Sequence, residues 1–182
     1  MRRREGKVGD VALCGMLLAV MLILGYVESI LPMPTAIPGI KLGLSNGVLI
    51  FAVYMLGIGR SWILMVLKVL LSSLMFGSMS TMMYALAGGV LSLAVMQLFH
   101  LLGKIHPVAV SMAGGAFHNI GQVLMAMLVL KTPLLTYYMA VLIVVGLVTG
   151  AATGVAATAV MKHMKGFVKR EESSTRVDEN GG

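Results

Sequence analysis

Charged residues are scarce in this sequence. Only 12% of its 182 residues are Asp, Glu, Lys or Arg, whereas a soluble domain carries roughly 25%. Cysteine occurs once, as Cys14. The low charge excludes an ordinary soluble domain, and the single cysteine excludes a disulfide bond within the chain.

Acidic residues are the scarcest charged type, with seven in the whole chain. Six of them lie outside the apolar runs or at their edges, which leaves Glu28 as the one acid near the membrane interior. This excludes a carboxylate pair for Mg²⁺. The sequence also lacks a P-loop, a Cys/His metal spacing and a nucleophile elbow. We therefore expect no catalytic residues, no metal site and no cofactor, and the protein is not predicted to be an enzyme.

Apolar residues make up 58% of the chain, and its mean hydropathy is +0.94. They form six runs, at 11–31, 42–58, 61–77, 80–99, 107–130 and 134–161. A helix needs about 20 residues to cross the hydrocarbon, with a range of roughly 17–25. The sequence predicts an all-α polytopic membrane protein, a compact bundle of six transmembrane helices. Residues 1–170 form its single domain, and residues 171–182 form a disordered polar tail.

Lysine and arginine residues cluster at the ends of the runs. Because six spans bring both termini to one side, that side holds eleven of the 14 cations; the other side holds Lys41 and Lys131, and Lys68 lies within a run. Cytoplasmic loops carry the excess of Lys and Arg in membrane proteins. We therefore predict an inner-membrane protein with both termini in the cytoplasm. The net charge of +7 then indicates membrane lipids, and not nucleic acid, as partners.

Four strongly polar side chains lie near the middle of apolar runs. Lys68 is near the centre of the third run, and His118, Asn119 and Gln122 are at mid-depth in the fifth. A charge at the bilayer centre costs about 2.5–3.5 kcal/mol on insertion scales, so such residues normally face the bundle interior. Lys68 could instead extend its side chain to an interface, and the other three could simply bond neighbouring helices. We predict that all four bind a ligand.

The segment AIPGIKLGLSN, residues 36–46, joins the first two runs. Pro38 restricts the residue before it to extended backbone, and the glycines permit close backbone approach. We predict an outer re-entrant-like loop after the first helix that lines a pocket with Lys41, Ser45 and Asn46; an ordinary interfacial loop is the alternative. Glu28 ends the first run, and could be interfacial or pair with Lys41 or Lys68 across the mouth of the pocket.

Glycines recur every fourth residue in the last run, at Gly146, Gly150 and Gly154. Small residues at this spacing allow membrane helices to approach closely. We therefore predict a helix-packing stripe there.

Four segments carry a resemblance to a known family. YVESILPMPTAIPGIKLGLSNGVLIFAVYMLG, LKVLLSSLMFG, ALAGGVLSLAVM and AGGAFHNIGQVLMA resemble the Gx transporter family, also named heptaprenyl diphosphate synthase component I, and the likeness covers residues 10–160. This family is similar to the substrate-binding S components of energy-coupling-factor transporters. The resemblance implies a six-helix protein that captures a small nutrient from outside and pairs with a T component and two ATPases. In such proteins small residues of the first helix dock the T component, which implies Ala12, Gly15 and Ala19 here.

Two functions are compatible with these observations. The first is a membrane subunit that captures a small ligand, either anionic or related to isoprenoid and quinone pathways, in the manner of an S component. The second is a non-catalytic membrane component associated with a soluble heptaprenyl or other polyprenyl diphosphate synthase. The synthase name implies the second, while the lack of an aspartate-rich metal motif argues against prenyl transfer by this chain.

Overall fold

A computed structural model describes the backbone of residues 2–30, 43–103 and 105–180, and the side chains of residues 9–30, 43–103 and 105–163. This part of the chain consists of helices joined by short turns, without a strand. The α-helices are α1 Arg2–Ile30, α2 Gly47–Met55, α3 Ile58–Phe76, α4 Met79–Leu102, α5 Pro107–Leu130 and α6 Thr136–Asn180. Two one-turn 3-10 helices, Leu44–Asn46 and Pro133–Leu135, lead directly into α2 and α6.

Five stretches in the described part of the chain are long and apolar enough to cross a membrane. They are Gly9–Ile30, Ile58–Phe76, Met79–Leu102, Pro107–Leu130 and Pro133–His163. Each begins and ends within a few residues of one of the predicted runs. The prediction of an all-α, six-helix membrane bundle is therefore confirmed.

The second helix is shorter than the run 42–58 that predicts it. Together with its 3-10 turn it covers Leu44–Met55. This corresponds to ~18 Å at 1.5 Å per residue, whereas the hydrocarbon core is about 30 Å thick. Gly43 precedes the turn with a left-handed φ of 84°, which interrupts regular helix geometry. The second segment is thus a half-length helix.

Local sequence features explain where the longer helices begin and end. The Ser78 hydroxyl accepts a hydrogen bond from the backbone N–H of Thr81 at 3.2 Å and so caps α4. Pro107 occupies the first turn of α5, where its missing N–H removes no helical hydrogen bond. Gly103 ends α4 with a left-handed φ of 69°, a common helix terminator. The resulting connectors are short, so consecutive long helices run antiparallel.

The central helix is α5, which packs extensively against both α4 and α6. A Cβ atom on Gly146 would lie 2.5 Å from the carbonyl oxygen of Gly115, and one on Gly150 would lie 2.6 Å from that of Ser111. Gly154 also faces Ser111. The three glycines of the predicted stripe therefore lie against α5, where only small residues leave room for the backbones to approach this closely.

The half-length α2 is surrounded by other helices. Its residues Leu49, Ile50, Ala52 and Val53 are at most 1% exposed and belong to the largest apolar core. By contrast, α1 and α6 present large apolar side chains outwards on much of their length, as lipid-facing helices do. We name the two ends of the bundle after residues at them: the Asp10 end and the Phe76 end.

Three predictions concern residues that the structure does not describe in full. The predicted outer re-entrant-like loop falls mostly in residues 31–42, which are outside the described residues, and Lys41 is one of them. Residues 171–180, where the sequence predicts a disordered tail, continue α6 as helix. Their side chains are outside the described part, and the boundary at 170 stays a prediction.

Candidate ligand-binding site at the start of the half-length helix

The start of α2 lies at the same depth as the two most polar points of α3 and α5. Lys68 is ten residues from Ile58 and His118 is eleven from Pro107, which places them ~15 and ~17 Å along their helices. The Trp62 indole donates a hydrogen bond to Gln97 at 3.0 Å, so α3 begins where α4 ends. These residues therefore lie about halfway through the bundle, level with the start of α2.

The Glu28 carboxylate caps the start of α2 from another helix. It is 3% exposed and accepts a hydrogen bond from the backbone N–H of Leu44 at 2.7 Å and one from the Ser45 hydroxyl at 3.3 Å. The first N–H groups of a helix have no partner within it, and the helix dipole favours negative charge there. Glu28 therefore supplies the acceptor that Gly43, without a side chain, cannot.

Lys68 holds the same turn from the opposite side. Its Nζ donates a hydrogen bond to the Asn46 side-chain oxygen at 2.7 Å, and its side chain is buried. Lys68 thus points into the bundle and not towards an interface. The Asn46 side chain is 1% exposed, and its amide nitrogen has no hydrogen-bond partner among the described residues. Buried polar groups normally have a hydrogen-bond partner, so this donor could bind a further group.

His118 and Gln122 form the third part of the site. Their Nε2 atoms lie 2.8 Å apart. Since the Gln122 nitrogen can only donate, His118 Nε2 must accept, which places the imidazole hydrogen on Nδ1. This hydrogen bond corresponds to a neutral imidazole, whose Nδ1 lies on the side of Gly88 of α4.

Two glycines make room for the His118 ring. A Cβ atom on Gly43 would lie 3.0 Å from His118 Cδ2, and one on Gly88 of α4 would lie 2.8 Å from His118 Nδ1. Gly43 thus satisfies two requirements, a left-handed backbone and a close contact. The sequence predicts a close approach at the glycines of residues 36–46, which include Gly43, but it gives no sign of the contact at Gly88. A glycine within an apolar helical run looks the same whether it faces another backbone or a functional side chain.

We call Glu28, Ser45, Asn46, Lys68, His118 and Gln122 the polar cluster. These six come from α1, the turn before α2, α3 and α5, and every one of them is at most 6% exposed. Among the described residues, no three His, Cys, Asp or Glu side chains come close enough together to hold a metal ion. The cluster combines hydrogen-bond donors with one cation, Lys68, and one carboxylate, Glu28, which accepts from the turn before α2.

Asn119 points to a different neighbour. Its Nδ2 donates a hydrogen bond to the Leu142 carbonyl of α6 at 2.6 Å, and its Oδ1 is buried without a partner among the described residues. One residue along a helix is a rotation of about 100°, which takes Asn119 from the His118 face to the α6 face. The structure thus places it in the α5–α6 contact, beside Gly146.

The proposed docking residues lie far from the polar cluster along the outer face of α1. Ala12, Gly15 and Ala19 are all exposed, and a Cβ atom on Gly15 would meet nothing within 4 Å. This face is therefore open to whatever adjoins the protein in the membrane.

The sequence as a whole identifies the family. A family model described as heptaprenyl diphosphate synthase component I matches residues 17–160, and the chain belongs to this family. The resemblance carried by the four segments is thereby confirmed. No curated protein and no solved structure matches the chain.

Proposed function

We propose that this member of the heptaprenyl diphosphate synthase component I family is a membrane subunit that binds a small anionic ligand at the polar cluster. The observation that carries this proposal is the buried amide nitrogen of Asn46, which lacks a partner among the described residues while its oxygen accepts from the Lys68 ammonium at 2.7 Å. A cation and an available donor meet there at the positive end of a helix. That combination attracts anions.

The position of the cluster supports binding and not mere helix contact. Many secondary transporters bind substrate near the midplane of the bilayer, at interrupted helices whose N-terminal ends face anionic groups. Here the half-length α2 provides such an end. Glu28 accepts the Leu44 N–H in this structure, so an anionic ligand would bind next to it through Lys68 and the amide nitrogen of Asn46. Lys41 is a further proposed contributor, whereas Asn119 faces α6.

The resemblance to S components that the sequence predicts would imply a role in uptake. We propose that the ligand enters from outside, with both termini in the cytoplasm, and that the energy comes from a T component with its ATPases. The exposed face at Ala12, Gly15 and Ala19 is where the T component would dock. No acid chain for protons and no nucleotide site is present in the sequence, so a borrowed energy source fits the chain.

The test is a Lys68→Met variant, with Lys162→Met as its control because Lys162 is exposed. Mass spectrometry of the purified protein identifies retained small molecules, and titration with inorganic diphosphate measures affinity directly. Lys68→Met is expected to weaken anion binding at least tenfold, about 1.4 kcal/mol, and Lys162→Met is expected to change it less than twofold. Equal affinity of both variants for inorganic diphosphate would show that Lys68 does not contribute to anion binding.

A second variant addresses the folding of the first. Asn46→Asp preserves shape and strengthens the contact with Lys68, but replaces the donor by a negative charge. It is expected to keep the melting temperature and still weaken binding of inorganic diphosphate. Unchanged binding in a folded Asn46→Asp protein would contradict the proposal.

The family description favours a second candidate function, association with a heptaprenyl diphosphate synthase. In that case the protein would be a membrane partner of a soluble enzyme, without catalysing prenyl transfer. Affinity purification of the tagged chain from its own cells distinguishes the two. Recovery of a T component and ATPases supports the transporter subunit, and recovery of a soluble prenyl diphosphate synthase supports the membrane partner.

A further inference from the structure

An apolar groove lies between α1, α2 and α6. Its volume is about 330 Å³, at the lower end of the roughly 300–1,000 Å³ typical of ligand pockets. The walls are provided by side chains of all three helices, among them Met16, Val20, Val48, Phe51, Ala156 and Val160. The one hydroxyl in the lining, that of Thr153, donates to the Thr149 carbonyl at 2.9 Å. The groove therefore offers no free polar partner along its walls.

One end of the groove lies at the turn that starts α2. Leu44 and Gly47 are part of its lining, and they flank Ser45 and Asn46 in the turn that starts α2. The backbone N–H of Leu44 donates a hydrogen bond to the Glu28 carboxylate. A molecule lying in the groove would therefore have one end beside the turn that carries Asn46, the hydrogen-bond partner of Lys68.

The back of the groove is closed, and its front faces the membrane. A Cβ atom on Gly47 would overlap the Thr153 side chain, so α2 and α6 are in direct contact there. On the other side, Val20 of α1 is 41% exposed and Val160 of α6 is 51% exposed. The opening thus lies between α1 and α6, at the depth of the hydrocarbon.

We propose that the ligand of the polar cluster is a single-chain amphiphile, whose anionic headgroup binds at Lys68 and Asn46 and whose apolar chain lies in this groove. This inference rests on the proposed function and specifies its ligand class. The apolar lining requires a chain without polar groups, the volume suits one chain and not two, and the inner end of the groove lies at Leu44 and Gly47, on either side of Asn46. The apolar chain enters the groove from the bilayer, between α1 and α6.

The bilayer dissolves an apolar chain about as well as the groove does, so chain-length effects alone prove nothing. The experiment therefore compares variants in the same membrane, nanodiscs of phosphatidylcholine, with dodecyl phosphate and inorganic phosphate as probes. Ala156→Phe fills the groove from α6. Ala159→Phe is the matched control, because Ala159 is exposed on the same helix outside the groove lining.

Ala156→Phe is expected to weaken dodecyl phosphate binding at least tenfold relative to Ala159→Phe, and to leave inorganic phosphate binding within twofold. Val20→Phe, which fills the groove from α1, is expected to act in the same way relative to Ile23→Phe on the exposed face. This second pair keeps the test decisive if one variant fails to fold.

The opposing results separate the two proposals. Equal dodecyl phosphate affinity in groove and control variants, with phosphate binding intact, overturns the chain-binding groove and leaves the proposed function standing. If the groove variants retain fewer phosphatidylcholine molecules in native mass spectrometry and bind dodecyl phosphate normally, the groove holds bilayer lipid and the inference is also overturned. Failure of the unaltered protein to bind either probe overturns the proposed function itself.

Discussion

Glu28 illustrates how one residue decides the local structure at the site. Its carboxylate accepts from the Leu44 N–H at 2.7 Å and from the Ser45 hydroxyl at 3.3 Å, and it does so at a buried helix start where water cannot take its place. Hydrogen bonds to a charged partner contribute about 1.5–3 kcal/mol each. Glu28 therefore joins α1 to the turn before α2.

Replacing Glu28 by Gln tests this role. The amide keeps one acceptor but loses the negative charge at the helix N-terminus, so the free energy of unfolding is expected to fall by about 1–2 kcal/mol. Thermal unfolding in detergent, followed by intrinsic fluorescence, measures the change.

Asp10→Asn is the matched control for Glu28→Gln. Asp10 pairs with Arg60 at 2.7 Å, with both side chains 40% exposed or more. Exposed ion pairs contribute about 0–1 kcal/mol. A loss at Asp10 equal to that at Glu28 would show that the buried cap has no special importance.

At this scale the sequence identifies the buried polar residues but not their partners. Lys68 stands out because a cation in an apolar run is costly, yet its bond to Asn46 joins residues 22 positions apart, which no helical spacing predicts. The sequence predicts that Glu28 is interfacial or pairs with Lys41 or Lys68. Its partners among the described residues are Leu44 and Ser45, and Lys41 lies outside those residues. Backbone groups carry no sequence signature, so such a cap is visible only in three dimensions.

At the scale of the elements, Gly43 shapes the start of the second helix through its backbone conformation and its contact with His118. It has a left-handed φ of 84° and lies against the His118 ring. Gly103 has a comparable φ of 69°, but a Cβ atom there would meet nothing within 4 Å. The two positions thus separate backbone strain from the contact with His118.

Alanine substitutions at the two glycines make this separation measurable. Gly103→Ala is expected to lower the free energy of unfolding by about 1–2 kcal/mol through backbone strain alone. Gly43→Ala is expected to lose more, and also to weaken ligand binding, because its methyl group displaces His118. Thermal unfolding and diphosphate titration provide the two measurements, and equal losses of stability with unchanged binding would contradict the role of Gly43.

How closely the sequence predicts the bounds of a helix depends on the residues that mark its ends. The run 107–130 coincides with α5, Pro107–Leu130, because Pro107 and the change in hydropathy mark both ends. The run 42–58 overestimates Leu44–Met55, because the apolar pattern continues through Leu56, past the end of α2, to Ile58, which already belongs to α3. Hydropathy reports burial in apolar surroundings, and it does so for a helix buried in protein as well as for one that crosses lipid.

The orientation of the whole molecule is a prediction from its cations, and it can be measured directly. In a Cys14→Ala background, Thr132→Cys and Lys162→Cys place single thiols at exposed positions on opposite sides. A membrane-impermeant maleimide is expected to label Thr132→Cys in intact cells, and Lys162→Cys only after permeabilisation. The reverse pattern would place the termini outside and contradict uptake from the exterior.

The half length of α2 has a consequence for the route of any polar solute through the bundle. Between the polar cluster and the Asp10 end stands a column of side chains that includes Leu49, Ile50 and Val53, each at most 1% exposed. A hydrated anion would lose its water in passing these buried apolar side chains, so they would block its passage in this conformation. If the proposed function holds, release of the ligand towards the Asp10 end would therefore require a partner that tilts or withdraws this one short helix.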